Sequence, residues 1–335
     1  MNLNQINLVG KIRPVEQNDW DRLPKYSYSG LSVLKQCPYQ FNLKYNLGKR
    51  SEESTLALQL GTLLHYVLEQ KGKMIRNKVE VDYDSLRNIL INGTTETDDK
   101  TQEPIKGLTT LKKEYWETWG IADSEGRTYD EKIKLFMNVL ENEMERDDWT
   151  PCLFEHPFDF VYDNKIILHG FIDRVDINME NGQYRVVDYK TNKKPFRDED
   201  LPTALQFGIY ALAIVNEFGT FPVEYQYRLI LLDMDQYALT SGWESRFIKA
   251  MDKLLNLLDE SKASNEWLPK PTPLCYWCSY CHTNPDAKEF KDECPYYSLW
   301  TPDNKVFDVN MKYDTQTKSK YVADNTLQKP RTVVF

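Results

Sequence analysis

Nowhere in this sequence does an apolar run approach the roughly 20 residues that a membrane-spanning helix needs. The best candidate, residues 208–215, is far too short. The opening MNLNQINLVGKIRP has neither the basic head nor the apolar stretch of a secretory leader. Positive charge is not in excess: 42 Lys and Arg against 51 Asp and Glu give a net charge of −9, which on its face argues against a nucleic-acid binder. There is no internal repeat, and the composition excludes collagen and low-complexity polymers. These absences lead to the expectation of a soluble intracellular protein.

What is present is a chain able to bury a core without disulfides. Its 335 residues are 41% hydrophobic, which suits one large domain with an insertion, or two modest ones. Residues 1–25 read as a loose lead-in. Across 29–47, Leu31, Leu34, Phe41 and Tyr45 recur at helical spacing behind Ser29 or Ser32 as N-cap. A second helix is expected over 56–70, and a polar helical insertion over 71–150. Strands follow at 154–162, 166–177 and 184–191, rich in β-formers. A helix over 202–218, a buried strand over 223–232 and a helix over 241–260 complete an interleaved order. That order points to an α/β domain with a central mixed β-sheet flanked by helices. Two stretches run against the net charge: 185–197 with five basic residues to one acid, and 311–335 with five to two. Taken alone, each reads as a solvated face.

Asn181-Gly182 is a two-residue hairpin signal between the second and third strands. With those two residues as the turn, Asp173 faces Lys190 and Val175 faces Asp188. Side chains alternate faces with period two, so Asp173, Asp188 and Lys190 share one face. A two-residue slip preserves this grouping, whereas a one-residue bulge destroys it. Two adjacent carboxylates raise each other's pKa, and a hard divalent cation with oxygen ligands relieves the repulsion. A lysine beside such a cation is placed to orient water or offset developing charge. Alone, Asp-x-Lys is a short motif that most often marks a solvated strand. Its neighbours add weight. Gly61, His65 and Glu69 fall at i, i+4 and i+8 on one helix face, with Gly61 permitting close backbone approach and neutral His65 able to ligate metal. Gln206 and Tyr210 are likewise i, i+4; alone they read as an amphipathic face with Tyr210 half-buried. Gly170 marks close packing or a bulge.

Cys275, Cys278, Cys281 and Cys294 crowd into twenty residues, while Cys37 stands far upstream in a Cys-Pro pair and Cys152 stands alone. In a reducing compartment such crowding signals metal ligands more often than disulfides. A wholly local zinc site of the four crowded cysteines and a Cys-ligated iron–sulfur cluster are both open on spacing. Cys152 reads as a buried structural thiol.

The ordered series Gly61-x-x-x-His65, Gly170-x-x-Asp173-x-x-Asp176, Asp188-Tyr189-Lys190 and Gln206-x-x-x-Tyr210 resembles the PD-(D/E)XK nuclease superfamily. More narrowly, it is similar to the RecB-type nuclease domain and its iron–sulfur relatives among phage and CRISPR-associated exonucleases. Tyr28-Ser29-x-Leu31-Ser32 leading to Cys37-Pro38 looks like that family's first helix. The resemblance covers about residues 26–300. It implies a restriction-endonuclease-like core, with 301–335 left as a polar basic tail. His65, Asp173 and Asp188, helped by the Tyr189 carbonyl, would hold one or two Mg²⁺ or Mn²⁺ ions. Lys190 would position the attacking water, Gln206 and Tyr210 would hold the phosphate backbone or support the site, and Asp176 would serve structurally.

The implied reaction is metal-assisted hydrolysis of DNA, by an exonuclease acting on ends or single strands in a bacterial or phage-infected cell. The resemblance also favours a [4Fe–4S] cluster on Cys37, Cys275, Cys278 and Cys294, since Cys-Pro recurs at such ligands. Cys281 stays open as the fourth ligand, and Zn²⁺ stays open as the metal. Lys193, Lys194 and Arg197 are candidates for phosphate contacts. Tyr276, Trp277, Tyr280, Tyr296, Tyr297 and Trp300 read as packing around the cluster more than as base-stacking platforms. The competing reading is a DNA-binding or assembly subunit of a recombination or adaptation complex, with weak or partner-dependent cleavage and a docking tail.

Overall fold

The computed structural model describes residues 2–50, 56–97, 104–115, 129–144, 148–192, 194–199, 201, 205–238, 241–270, 274–275, 278–281, 290 and 293–294, with short strands beyond. The chain forms two compact units. One comprises Met1–Tyr26 and Ser54–Ile248; the other comprises Ser27–Glu53 and Lys249–Phe335. The span expected as one nuclease domain, 26–300, includes residues of both units.

The first unit is built on a seven-stranded mixed sheet. Its strands are β1 (Ile12–Arg13), β2 (Lys25–Tyr26), β5 (Trp149–Tyr162), β6 (Ile166–Asn178), β7 (Tyr184–Lys190), β8 (Glu224–Leu229) and β9 (Met234–Tyr237). The order is β1-β5-β6-β7-β8-β9, with β2 pairing β6. β5, β6 and β7 run antiparallel, and β7 and β8 run parallel. The parallel pair needs a crossover, which α9 (Leu205–Phe218) supplies. Residues Leu205–Val215 of α9 are all buried. A Cβ on Gly208 would lie 2.1 Å from the Phe247 ring, so glycine is required where α9 meets α10 (Trp243–Ser264). The expected strand at 223–232 ends early, its last residues forming a 3₁₀ turn, Ile230–Leu232.

The N-terminal 25 residues are not a loose lead-in. They form α1 (Leu3–Val9), capped by Asn2, then β1, α2 (Asp19–Arg22) and β2. Leu8 is fully buried, and Asp19 ties Arg13, Arg22 and the Glu16 amide together.

The hairpin register differs from expectation by two residues. Arg174 pairs with Val187 and Val175 with Val186. The turn has four residues, because the Asn178 side-chain oxygen accepts the amides of Glu180 and Asn181, and the Gly182 amide returns to the Asn178 carbonyl. Gly182 takes φ +70°, the left-handed conformation that glycine tolerates.

The insertion packs on the sheet face bearing Val187 and Tyr189. It contains α5 (Leu56–Arg76), α6 (Tyr83–Asn92), the β3 (Gly93–Thr97) and β4 (Pro104–Lys106) hairpin, α7 (Leu108–Tyr115) and α8 (Tyr129–Asn142). The buried ammonium of Lys71 donates to the carbonyls of Leu140, Glu141 and Glu143 at the end of α8. A cation there satisfies carbonyls that lack helical partners and complements the helix dipole. Behind the hairpin, Asp176 is held by Arg174 and Arg185, and Glu143 by Arg174 and Arg228. All five are buried, so each charge is paired as low-dielectric surroundings demand.

The second unit contains α3 (Tyr28–Gln36), α4 (Pro38–Phe41) and a π-turn, Asn42–Asn46. Ser27, not Ser29 or Ser32, is the N-cap, accepting the Gly30 amide at 3.2 Å. Leu31, Leu34 and Phe41 are buried as their spacing requires. Cys37 sits between the two helices in extended backbone, with Pro38 in the first turn of α4. In the tail, β10 (Val306–Asp308) pairs with β13 (Thr332–Val334), and β11 (Met311–Lys312) with β12 (Val322–Ala323).

Candidate active site and thiol pocket

The β6/β7 register, continued one pair beyond Arg174–Val187, sets Asp173 opposite Asp188. Asp173 Oδ2 accepts the Tyr189 amide at 2.7 Å. On the other side of β6, Phe154 pairs with Arg174 and His156 with Ile172, so Glu155 lies across from Asp173. Three carboxylates therefore form a row over three adjacent strands, spaced about 4.8 Å apart by the sheet. The next strand places Tyr227 beside Asp188. Lys190 pairs with Asp188 Oδ2 at 2.5 Å.

Helix α5 brings His65 onto this row. Its Nδ1 lies 3.3 Å from Glu155 Oε1 and 3.6 Å from Asp173 Oδ2, and its Nε2 lies 3.1 Å from the Tyr189 carbonyl. Helix α9 brings Gln206, whose Nε2 donates to Asp188 Oδ1 at 2.7 Å; Tyr210 reaches the same oxygen at 3.4 Å. Tyr210 is buried, not half-buried, and packs against Phe158.

The acids show the strain of their crowding. Burial, then Glu155, raises the Asp173 carboxyl, against the pull of His65 and Lys190. Burial and Asp173 lift Asp188 to about 6 despite Lys190. For His65, burial opposes the charged ring, but Asp173, Glu155 and Asp188 outweigh it and raise the ring to about 9. The imidazolium thus supplies the positive charge that the row demands. A divalent cation does the same with the neutral ring as ligand.

The sequence reading brought together His65, Asp173, Asp188, the Tyr189 carbonyl, Lys190, Gln206 and Tyr210, and the structure gathers all of them. It missed Glu155. Among the described residues, His65, Glu155 and Asp173 form a potential ligand group whose donor atoms lie within 4.8 Å of one another. Asp188 is outside that trio, its oxygens engaged by Gln206, Tyr210 and Lys190. Glu155 has φ +40°, a left-handed conformation costing a non-glycine residue about 1–3 kcal/mol. Alternation gave no sign of it. The available signal was an acid embedded in an apolar strand.

Other expected residues fall differently. Glu69 pairs with Lys73 at 2.8 Å along its own helix. A Cβ on Gly61 would meet Thr191 at an ordinary 3.7 Å, so no close approach requires that glycine. Gly170 does mark close packing, its Cβ position lying 3.1 Å from the Phe158 ring. Asp176 faces away from the row, in the buried ionic network. Lys194 is exposed, and Arg197 pairs with Glu199 at 2.8 Å in a segment tied to β9 through Phe196 and Gln236. Lys193 lies outside the described residues, as do Tyr276, Trp277, Tyr296, Tyr297 and Trp300.

In the second unit, Cys37, Cys275, Cys278, Cys281 and Cys294 line one pocket. The Lys270 amide donates to Cys37 Sγ at 3.4 Å. Burial pushes the Cys278 thiol up to about 12, with further contributions from Cys275, Cys281 and Cys37. Converging thiols whose acidity is suppressed by burial and by one another suit a thiophilic metal group, which ligates thiolates. Cys152 is apart from them, its Sγ donating to the Val175 carbonyl at 3.2 Å beside a register shift in β5.

With this geometry in place, comparison with known proteins is decisive for the family. The profile of the PD-(D/E)XK nuclease superfamily matches residues 25–284. The chain belongs to that superfamily. Its α/β fold with a central mixed sheet flanked by helices agrees. It is similar to an ATP-dependent helicase/deoxyribonuclease subunit from Clostridium tetani, at 26% identity over 213 residues, 57% of this chain and 18% of that one. The corresponding protein from Acetivibrio thermocellus is 28% identical over 197 residues, 54% of this chain and 16% of that one. The chain thus spans less than a fifth of the length of these curated relatives. A solved chain from Eubacterium rectale, named as a candidate exonuclease, has a TM-score of 0.41 and 12% identity over 82% of this chain and 95% of its own, too slight a likeness to carry weight. Among the described residues, no helix is long and apolar enough to cross a membrane.

Proposed function

We propose that this chain is a Mg²⁺- or Mn²⁺-dependent deoxyribonuclease, an exonuclease working from DNA ends or on single strands, with a [4Fe–4S] cluster in its thiol pocket. It would act in the cytoplasm of a bacterial or phage-infected cell. The observation that carries the catalytic part is the carboxylate row with His65 at one end and Lys190 at the other. His65, Glu155, Asp173, Asp188 and the Tyr189 carbonyl are the donors for the cation. When bound, the cation lowers the pKa of water and stabilises the leaving oxygen. Lys190 donates to the attacking water and offsets charge developing on the phosphate. Gln206 and Tyr210 fix the Asp188 carboxylate through its Oδ1. Lys193, Lys194 and Arg197 follow the Lys190 strand in sequence and supply phosphate contacts. In the pocket, Cys37, Cys275 and Cys278 with Cys294 or Cys281 provide the four thiolates that such a cluster needs.

The test is digestion of end-labelled linear DNA and circular DNA, single- and double-stranded, with Mg²⁺, Mn²⁺ or EDTA. Degradation of linear substrates alone, abolished by EDTA and by Lys190→Ala, supports the reading. Equal activity of Lys190→Ala and wild type would sink it. Iron and sulfide assays on anaerobically purified protein test the cluster against zinc.

One observation favours a second reading. The relatives are named as subunits, and this chain matches only a small part of them. On that reading it is a DNA-binding or assembly subunit whose cleavage is weak or depends on a partner docked through its tail. DNA binding without metal-dependent digestion would select it.

A further inference from the structure

A [4Fe–4S] cluster or a structural zinc site takes four cysteine thiolates, yet five thiols line this pocket. The Cys278 amide bonds to the Cys275 carbonyl at 3.1 Å, and the Cys281 amide to the Cys278 carbonyl at 3.0 Å. Such three-residue turns eclipse side chains at i and i+3, so Cys275, Cys278 and Cys281 present sulfur on one side of the chain. Cys294 arrives from downstream. Its amide donates to the Tyr280 carbonyl at 2.9 Å, which lays it beside Cys281. The residue before it, Glu293, is anchored by the Tyr39 hydroxyl and by Lys49, so this approach is fixed by the protein itself. Both Cys281 and Cys294 are buried, at 1% and 9% exposure. The plain account of a buried cysteine is a small hydrophobe. That account does not explain why the Cys281 side chain joins the other four in the pocket wall.

We propose that Cys281 and Cys294 are interchangeable fourth ligands to the metal group held by Cys37, Cys275 and Cys278, an inference that rests on the cluster reading above. Exchange balances without redox chemistry. One metal–sulfur bond forms as another breaks, and the proton leaving the incoming thiol goes to the departing thiolate. The site then keeps its metal group when either sulfur is lost or blocked.

The experiment uses the full chain purified anaerobically, with iron, sulfide and visible absorbance measured for C281A, C294A, C281A/C294A and, as a control, C278A. Each single variant at the spare pair keeps the cluster, while the double variant and C278A lose it. Loss in C281A or C294A alone, or retention in the double variant, overturns the proposal. A second measurement needs no variant: slow alkylation of the loaded wild type followed by peptide mass spectrometry. Label divided between Cys281 and Cys294 supports exchange, and label on only one of them overturns it. If the wild type carries zinc and no iron, the iron–sulfur reading fails, but the same variants read by zinc content still decide the exchange.

Discussion

Glu155 and His65 meet at 3.3 Å, although 90 residues separate them in sequence. The contact joins β5, the first long strand of the sheet, to helix α5, and Glu155 makes it from a left-handed backbone conformation. Replacing Glu155 with Gln keeps the shape and removes a charge from the row. Mn²⁺ affinity, measured by calorimetry, is expected to fall at least about tenfold, the scale seen when a metal site loses a supporting group. An unchanged affinity would remove Glu155 from the ligand set.

In the proposed mechanism Lys190 acts on the reaction and not on the cation. Lys190→Ala is expected to lower the cleavage rate by roughly 10²–10⁴-fold, the usual range for a positioned acid–base group, while metal affinity stays near wild type. Single-turnover digestion at saturating Mn²⁺ reads the first quantity and calorimetry the second.

Gln206 holds Asp188 from α9 at 2.7 Å, whereas Tyr210 is more distant at 3.4 Å. Gln206→Ala is expected to cost roughly 10–100-fold in activity or metal affinity. Tyr210→Phe should cost less, because it keeps the packing on Phe158. The ranking of the two variants is the check.

Behind the sheet, Glu143 is the shared partner of Arg174 and Arg228. Removing one member of a buried ion pair costs about 3–5 kcal/mol, because the remaining charges stay buried. Urea unfolding of Glu143→Ala is expected to show a loss of that order, with the intact carboxylate row unable to compensate.

Asp19 is held well below the usual carboxylate range, first by the Arg13 hydrogen bonds and then by the Glu16 amide and Arg22. A depressed carboxyl stabilises the fold above its unfolded value of about 3.9 and loses that contribution as pH falls through its folded value. Asp19→Asn should therefore melt below wild type at neutral pH, and the gap should close under strong acid. A gap independent of pH would show that the ionised carboxylate is not the source.

The site was legible where its residues sit on regular elements. His65, Gln206 and Tyr210 follow helical spacing, and Asp173, Asp188 and Lys190 follow strand alternation, which survived a two-residue slip because its period is two. Glu155 was illegible because nothing in the sequence sets the register of β5 on β6, which places it opposite Asp173. The turn was misjudged because the Asn178 side chain competes with the Asn-Gly signal three residues on. Ser27 was overlooked as a cap since two later serines fit the same pattern. The order in the first 25 residues rests on Asp19 and Leu8, isolated contacts with no periodic signature.

Along β6 and β7, consecutive residues answer to opposite demands. Asp173 and Asp188 belong to the carboxylate row of the proposed active site, while Arg174, Asp176 and Arg185 form the buried ionic network on the other side. A mutant library sorted only for solubility should therefore be depleted at Arg174, Asp176 and Arg185 and permissive at Asp173 and Asp188. The same library sorted for cleavage should be intolerant at all five, so dividing one profile by the other would recover the working face without any substrate-bound structure.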